Sequence, residues 1–168
     1  MEPMDPRNIV VTGFMGAGKD SVALRVADGL GRDYYNSDLV FEERFGPITK
    51  YLPKREHLFR QHEGTIFREL LAQRSTVIAT GGGTLIDQTN CDLARERGIV
   101  VWLNVDFNVA AERVKGDKKN KRPLFDEHVR GRFRFRQALY QRAAHIEVDA
   151  NRDLDDVARD VLQALSEY

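Results

Sequence analysis

The 168-residue sequence has one cysteine, no formal net charge and no long apolar run. Its one cysteine, Cys91, excludes an internal disulfide and a zinc site built on cysteines, and it indicates a reducing compartment. The 26 basic and 26 acidic residues balance, so no global field attracts nucleic acid or an anionic membrane. No apolar run approaches the ~18 residues that a membrane span needs. We therefore expect a cytoplasmic chain that binds neither nucleic acid nor membrane and recognises anions only locally.

The composition and the order of apolar runs predict the fold class. With 42% hydrophobic and 31% charged residues, the chain is typical of one soluble domain, predicted over residues 1–168. Short β-branched runs alternate with longer segments of helical periodicity. The predicted strands cover residues 9–12, 33–36, 76–80, 99–105 and 145–149. This alternation predicts an α/β fold whose parallel sheet is covered by helices on both faces.

Apolar spacing also predicts the helices between the strands. Leu24 is assigned to the apolar face of the first helix, and Leu58 to that of a helix over residues 56–73. The last helix is predicted over residues 154–165, with Asp153 as its N-cap.

The clearest motif is a glycine-rich loop after the first predicted strand, Gly-Phe-Met-Gly-Ala-Gly-Lys-Asp at residues 13–20. Its glycines allow successive backbone N–H groups to point into one cavity at a helix N-terminus, where a β-phosphate binds. Lys19 would add positive charge for the β- and γ-phosphates. Such P-loops normally end in Ser or Thr, whose hydroxyl reaches Mg²⁺, whereas this chain has Asp20. The motif predicts nucleotide binding; a tight turn that binds nothing is the alternative.

A second segment is strongly basic. Residues 115–122 read Lys-Gly-Asp-Lys-Lys-Asn-Lys-Arg, followed by Pro123. The segment is too polar and too rich in like charges to pack, which predicts a mobile loop. In a nucleotide-binding chain it favours a lid over residues 115–127 that closes on phosphates, with a plain solvated loop as the alternative.

Four further clusters flank the predicted strands. Asp38 comes directly after the second strand, at the edge of the sheet where ligands bind in open α/β folds. Arg60 lies in a predicted helix, one turn from Glu63. Three glycines, at 81–83, follow the third strand and offer bare backbone N–H groups to a ligand. Arg136 lies in a basic helical stretch before the last strand.

Together these motifs resemble the shikimate kinase family along nearly the whole chain. The resemblance rests on the loop at 13–19, Glu-x-x-Phe-Arg-x-x-Glu at 56–63, the triple glycine, Arg-Pro-Leu at 122–124, Arg-x-x-Leu-Tyr at 136–140 and Asp-x-Asn-Arg at 149–152. It implies a P-loop NTPase-type three-layer fold with a central five-stranded parallel sheet, a helical substrate-binding insert over about residues 38–69, and the lid. It also implies a monomer that transfers the γ-phosphoryl group of ATP to the 3-hydroxyl of shikimate, in the biosynthesis of chorismate and the aromatic amino acids.

The resemblance further assigns roles to individual residues. Those with catalytic roles are Lys19, Asp38 and Arg122. Those of the ATP site are Gly13, Gly16, Ala17, Gly18, Lys19, Asp20, Ser21, Arg113, Arg122 and Arg152, with Arg113 and Arg152 bordering the adenine. Those that contact shikimate are Asp38, Arg60, Gly81, Gly82, Gly83 and Arg136. Two arginines suit the carboxylate of shikimate, and Asp38 can accept the proton of the hydroxyl that is phosphorylated.

Three of these residues have structural alternatives. Asp38 would serve as a helix N-cap, which is compatible with catalysis. Arg60 would form a surface ion pair with Glu56 or Glu63, and Arg136 would belong to a solvated helix face.

Two departures from the family pattern concern magnesium, the expected cofactor. Asp20 stands where the family has Ser or Thr, and Asn36 stands where it has an Asp that helps to hold the water shell of the metal. One position has gained a carboxylate and the other has lost one. A swap is one interpretation, with Asp20 as a ligand and Asn36 acting through water. A damaged metal site in a weak or inactive kinase is the other.

The sequence therefore leaves three functions open. The first is phosphorylation of shikimate, and the second is phosphorylation of another carboxylate-bearing polyol, such as gluconate. The third is nucleotide or shikimate binding without turnover, suggested by Asp20 and Asn36.

Two apolar residues, Trp102 and Cys91, are expected in the packed interior.

Overall fold

A five-stranded parallel sheet lies at the centre of the computed structural model, which describes residues 5–117 and 122–168. The strands are β1 (Asn8–Gly13), β2 (Asp33–Asn36), β3 (Thr76–Ala79), β4 (Gly98–Asn104) and β5 (Ile146–Asp149). Their order across the sheet is β2-β3-β1-β4-β5. The predicted α/β class and the five predicted strands are confirmed. Every residue of β1 and of β3 is buried, as expected for central parallel strands that are covered on both faces.

Seven α-helices are present in the described part of the chain. They are α1 (Lys19–Leu30), α2 (Ser37–Phe45), α3 (Glu56–Leu71), α4 (Gln88–Arg97), α5 (Phe107–Gly116), α6 (Val129–Ala143) and α7 (Leu154–Glu167). The segment between β2 and β3 is helical, as predicted for the insert: it holds α2, a 3₁₀ turn at Ile48–Lys50 and α3. Of the predicted lid, residues 118–121 lie outside the described residues.

Two assignments to apolar helix faces are wrong. Leu24 is 47% exposed and Leu58 is 38% exposed. In α1 the buried face instead carries Val22 and Val26, and Leu24 lies about 200° around the helix from Val22. The prediction for α7 is confirmed, because the Asp153 side chain accepts the N–H of Asp155 at the helix start.

The core consists of two apolar layers, one on each face of the sheet. On one face, the sheet packs against α1 and α7 through residues such as Val26 and Val161. On the other face, it packs against α3 and α4 through residues such as Phe67 and Cys91. Trp102 is also buried, so both interior residues singled out in the sequence are confirmed. Among the described residues, no helix has the length and apolar character needed to cross a membrane.

Parallel pairing brings the carboxyl ends of three strands to one edge of the sheet. Val11 of β1 pairs with Ala79 of β3, and Asn36 of β2 pairs with the same Ala79. The loops that follow these strands therefore begin side by side. They are the glycine-rich loop after β1, the start of α2 after β2, and the glycine run after β3.

Candidate active site

At two positions, the loop after β1 adopts a backbone conformation that strongly favours glycine. Gly16 has φ +82° and Gly18 has φ +89°, both in the left-handed region. A Cβ atom at Gly16 would lie 2.5 Å from the carbonyl oxygen of Ala110. The backbone then enters α1 at Lys19, with Gly18 as the N-cap residue. The loop thus directs the start of α1 toward the cavity beside it.

Lys19 is held over this loop. Its Nζ donates to the carbonyl oxygen of Phe14 over 3.2 Å. Burial lowers the pKa of Lys19 to about 8, although the charges of Asp20 and Asp38 favour the ammonium form. An ammonium that has lost part of its hydration gains more from a nearby phosphate than an exposed one does.

A cavity of about 750 Å³ opens between the glycine-rich loop, the insert and the residues after α5. Most of the residues singled out in the sequence line it. They are Gly16, Gly18, Lys19, Asp20, Ser21, Asn36, Asp38, Arg60, Gly81, Gly82, Gly83, Arg113, Arg122 and Arg136. The fold therefore brings together in one cavity side chains that come from widely separated parts of the chain.

Three of the predicted site residues lie elsewhere among the described residues. Gly13 and Ala17 do not line the cavity, and Gly13 packs instead against the backbone of β4. Arg152 also does not line it, because its side chain pairs with Asp160 on α7. Its carbonyl oxygen accepts from Arg113, whose guanidinium also donates to the backbone of the glycine-rich loop.

The start of α2 corrects one structural alternative. Its N-cap is Asn36 and not Asp38, since Asn36 Oδ1 accepts the N–H groups of Asp38 at 3.0 Å and Leu39 at 3.2 Å. Ser37 Oγ accepts the N–H of Gly81, which fixes α2 to the glycine run. Asp38 is therefore the second residue of the helix, and its carboxylate is not used as a cap.

Asp38 has an unusual protonation equilibrium. Burial, and after it the neighbouring Glu63 carboxylate, raises its pKa to about 7, while Lys19 acts in the opposite direction. A carboxylate with a pKa near neutrality is suited to act as a general base in water near pH 7. This is the chemistry that the sequence predicts for Asp38.

Arg60 pairs with acidic residues yet still faces the cavity. Its guanidinium donates to Glu63 Oε1 over 2.9 Å and to Glu56 Oε1 over 3.3 Å. The pair with Glu63 is not at the surface, because the Glu63 side chain is only 4% exposed. The second Glu63 oxygen, Oε2, has no hydrogen-bond partner among the described residues. Glu63 therefore holds Arg60 in place and leaves one buried acceptor.

The glycine run after β3 allows the charged side chains to converge. A Cβ atom at Gly81 would lie 2.9 Å from Asp38 Oδ1, and one at Gly83 would lie 2.4 Å from the Arg60 guanidinium. A Cβ atom at Gly82 would lie 3.2 Å from Arg136 Nη1. Any other residue at these positions would push away a side chain that lines the cavity.

Arg136 is buried, which excludes the alternative of a solvated helix face. Burial lowers its pKa, and no carboxylate among the described residues pairs with its guanidinium. The nearby Tyr140 hydroxyl donates to the carbonyl oxygen of Gly82 over 2.6 Å. A buried guanidinium without an anionic partner is costly, so this position favours binding of an anionic ligand.

The described end of the predicted lid contributes Arg122. Its guanidinium pairs with Asp117 over 3.3 Å and lines the cavity together with Pro123 and Leu124. Leu124 is buried against the core, which anchors this side of the segment. Arg122 is thereby positioned in the wall of the cavity.

Sequence reasoning missed several lining residues. Leu154 at the start of α7 lies against Gly18, and Thr49 and Pro47 come from the 3₁₀ region of the insert. The buried state of Glu63 was missed as well. Side-chain burial depends on packing against distant elements, which no local pattern shows. The one available signal was therefore the place of Glu63 in the quoted Glu-x-x-Phe-Arg-x-x-Glu segment.

The donors available for a divalent cation are oxygen atoms of Asp20 and its neighbours. Within residues 5–117 and 122–168, no group of three or more His, Cys, Asp or Glu side chains could by itself hold a metal ion. Mg²⁺ usually needs only one or two protein carboxylates, since phosphate oxygens and waters complete its shell. The carboxylate of Asp20, which lines the cavity beside Lys19, fits that requirement.

Comparisons with known proteins agree with this geometry. Residues 15–166 match the family model described as shikimate kinase. The chain is 32% identical to a shikimate kinase of Acinetobacter baumannii (strain AYE), over 94% of this chain and 91% of that protein. It is also 32% identical to a shikimate kinase of Pelotomaculum thermopropionicum, over 96% and 97% of the two chains.

A solved structure extends the likeness to three dimensions. It is that of shikimate kinase from Acinetobacter baumannii in complex with shikimate, with a TM-score of 0.88 and 31% identity. The match covers 96% of this chain and 94% of that chain. The fold, the motifs and the matches agree along almost the whole length, and the chain belongs to the shikimate kinase family.

Proposed function

We propose that this protein transfers the γ-phosphoryl group of ATP to the 3-hydroxyl of shikimate. The observation that carries the proposal is the convergence of Asp38, Arg60 and Arg136 on the glycine run at 81–83, in the same cavity as Lys19. Two guanidinium groups and one carboxylate match a small acid that carries hydroxyl groups. The P-loop next to them matches a nucleoside triphosphate.

The nucleotide would bind on the loop after β1. Backbone N–H groups of residues 16–21 and the Lys19 ammonium would hold the β- and γ-phosphates, with Arg122 approaching from the lid side. Arg113 lies against the loop and would border the adenine. The same role for Arg152 has less support, because its guanidinium pairs with Asp160 and only its backbone meets Arg113.

Shikimate would bind with its carboxylate between Arg60 and Arg136 and its 3-hydroxyl near Asp38. The Asp38 carboxylate would take the hydroxyl proton as the oxygen attacks the γ-phosphorus. The new O–P bond forms as the bond from the γ-phosphorus to the bridging oxygen of ADP breaks, and ADP leaves. Lys19, Arg122 and the loop N–H groups would stabilise charge on the transferred group, which supplies most of the rate in phosphoryl transfer.

Magnesium is the cofactor we propose, and Asp20 is the residue that would hold it. When bound, the cation neutralises charge on the β- and γ-phosphates. The sequence also predicts a role for Asn36 through water, but its Oδ1 already accepts two backbone N–H groups.

One assay tests the proposal and its alternatives. ADP formation is coupled to an indicator reaction and measured with shikimate, gluconate and a neutral cyclitol at several Mg²⁺ concentrations. We expect turnover with shikimate and little with the neutral cyclitol, which has no carboxylate for the two arginines. Turnover with gluconate instead would assign the second function, and nucleotide binding without turnover on any acceptor would assign the third.

A further inference from the structure

Asp20 occupies a position of the phosphate loop where a neutral hydroxyl is usual. It lies in the first turn of α1, is exposed and lines the cavity beside Lys19 and Asn36. No described residue forms a hydrogen bond or a salt bridge with its carboxylate. Its negative charge nevertheless acts on Lys19 and Asp38, which face the same space. The carboxylate is therefore directed toward the region that the phosphates of a nucleotide would occupy.

Asn36, the other oxygen donor in this region, is already engaged. Its Oδ1 accepts the N–H groups of Asp38 and Leu39. A carbonyl oxygen has two lone pairs, and the two capping bonds use both. Binding of a cation or its water by Asn36 would compete with the bonds that start α2.

A carboxylate and a hydroxyl at position 20 would treat the nucleotide differently. A hydroxyl is neutral, so it does not repel a nearby phosphate, whether or not a metal ion is bound. A carboxylate is a stronger ligand for Mg²⁺, which prefers charged oxygen donors. Without the cation, however, it repels the phosphates at short range. Both effects widen the difference in affinity between the metal-bound and the metal-free nucleotide.

We propose that Asp20 binds the divalent cation directly and makes the site select metal-bound over metal-free nucleotide, while Asn36 serves only to start α2. This inference rests on the proposed function in one respect, that the cavity takes an adenine nucleotide. It does not depend on which acceptor is phosphorylated.

The test measures ADP affinity by calorimetry, once with excess Mg²⁺ and once with EDTA. The variants are Asp20→Asn, which keeps the shape and removes the charge, and Asp20→Ser, which restores the usual hydroxyl. Asp28→Asn is the matched control, because Asp28 is an exposed carboxylate on the same helix that does not line the cavity. Asn36→Ser keeps a capping side chain and removes the amide.

The ratio of the ADP affinity with Mg²⁺ to the ADP affinity with EDTA should fall at least about tenfold in both Asp20 variants. The chief reason is that metal-free ADP binds more tightly to them than to the parent. It should stay at the parent value in Asp28→Asn and in Asn36→Ser. Electron paramagnetic resonance should also show weaker Mn²⁺ binding to the ADP complex of Asp20→Asn. An unchanged ratio in the Asp20 variants would overturn the direct role of Asp20, and a fall in Asn36→Ser would overturn the restriction of Asn36 to capping.

These outcomes are separable from failure of the proposed function. A chain whose ADP affinity depends on Mg²⁺ through Asp20, but which does not phosphorylate shikimate, would refute the acceptor and leave this inference standing. A chain that phosphorylates shikimate with a metal dependence independent of Asp20 would do the reverse.

Discussion

At the scale of single residues, the two arginines of the proposed acceptor site give the most direct prediction. Arg60→Ala and Arg136→Ala should each weaken shikimate binding roughly ten- to a hundredfold, because loss of a charge-assisted hydrogen bond costs about 1.5–3 kcal/mol. ATP affinity should change little, since both side chains contact the glycine run after β3. Calorimetric titration with each ligand measures both effects.

A matched control for this pair is Arg134→Ala, an exposed arginine on the same helix as Arg136 that does not line the cavity. It should leave both affinities at the parent value. An equal loss of ATP affinity in Arg60→Ala or Arg136→Ala would mean that the acceptor pocket has been misassigned.

Lys19 is a second residue whose role is separable from folding. Lys19→Ala should lower turnover by more than about a hundredfold, the usual effect of losing one donor to the transition state. Folding should persist, because the loop conformation depends on Gly16 and Gly18 and burial already disfavours the Lys19 charge. Circular dichroism and a thermal melt of the variant check the second half, and an unfolded variant would show that the lysine is part of the scaffold.

At the scale of elements, the strands were predictable because their signal is local. β1 is a short apolar run followed by a glycine loop, and neighbouring residues alone identify it. The cap of α2 was not predictable in this way, since Asn36 and Asp38 are both good caps and the strand end decides between them. The burial of Arg136 and Glu63 depends on packing across the insert and α6, which no local pattern records.

The edge of the sheet where β5 joins β4 yields a prediction about stability. His145 Nδ1 accepts the backbone N–H of Val100 over 2.9 Å, and the backbone N–H of His145 donates to the Val100 carbonyl oxygen. Burial lowers the pKa of His145, and Nδ1 can accept only when the ring is neutral. The folded state thus binds the proton less readily than the unfolded chain does. Stability is full above the unfolded pKa of about 6.5 and declines as the pH falls from there to the lowered folded pKa.

Thermal melts of the parent and of His145→Ala between pH 5 and 8 measure this effect. The variant should be less stable than the parent at pH 8 by about 1 kcal/mol, the usual net worth of one hydrogen bond. The difference should shrink toward pH 5. His57→Ala, which changes an exposed histidine on α3, should follow the parent curve. A constant difference across the range would show that His145 contributes only packing.

At the scale of the whole molecule, a chain with no net charge builds a strongly charged cavity. Lys19 comes from α1, Asp38 from α2, Arg60 and Glu63 from α3, and Arg136 from α6. The fold places these charges together at one edge of the sheet. The shifted pKa values of Lys19 and Asp38 are therefore a property of the assembled molecule, because burial is the largest cause of each.

The pKa of Asp38 gives the prediction that belongs to this scale. Because the pKa is raised to about 7 by burial first and then by Glu63, kcat/KM for shikimate should rise with pH through about 7. Glu63→Gln removes the largest of the charges that raise the pKa, so the midpoint should move to lower pH even if the rate falls. A midpoint that stays in place in Glu63→Gln would mean that the observed titration belongs to another group.

The raised pKa of Asp38 changes the stability of the fold with pH in the opposite direction to the lowered pKa of His145. Between the ordinary aspartate pKa of about 4 and the raised value, the folded state holds a proton on Asp38 that the unfolded chain releases. This carboxyl therefore opposes folding more strongly as the pH rises from 4 to 7. Asp38→Asn should melt at a higher temperature than the parent at pH 7.5, with the gap closing toward pH 4, while turnover is lost at every pH. A variant that is no more stable than the parent at pH 7.5 would show that Lys19 compensates the buried carboxylate in full, and that the rise of kcat/KM with pH has another source.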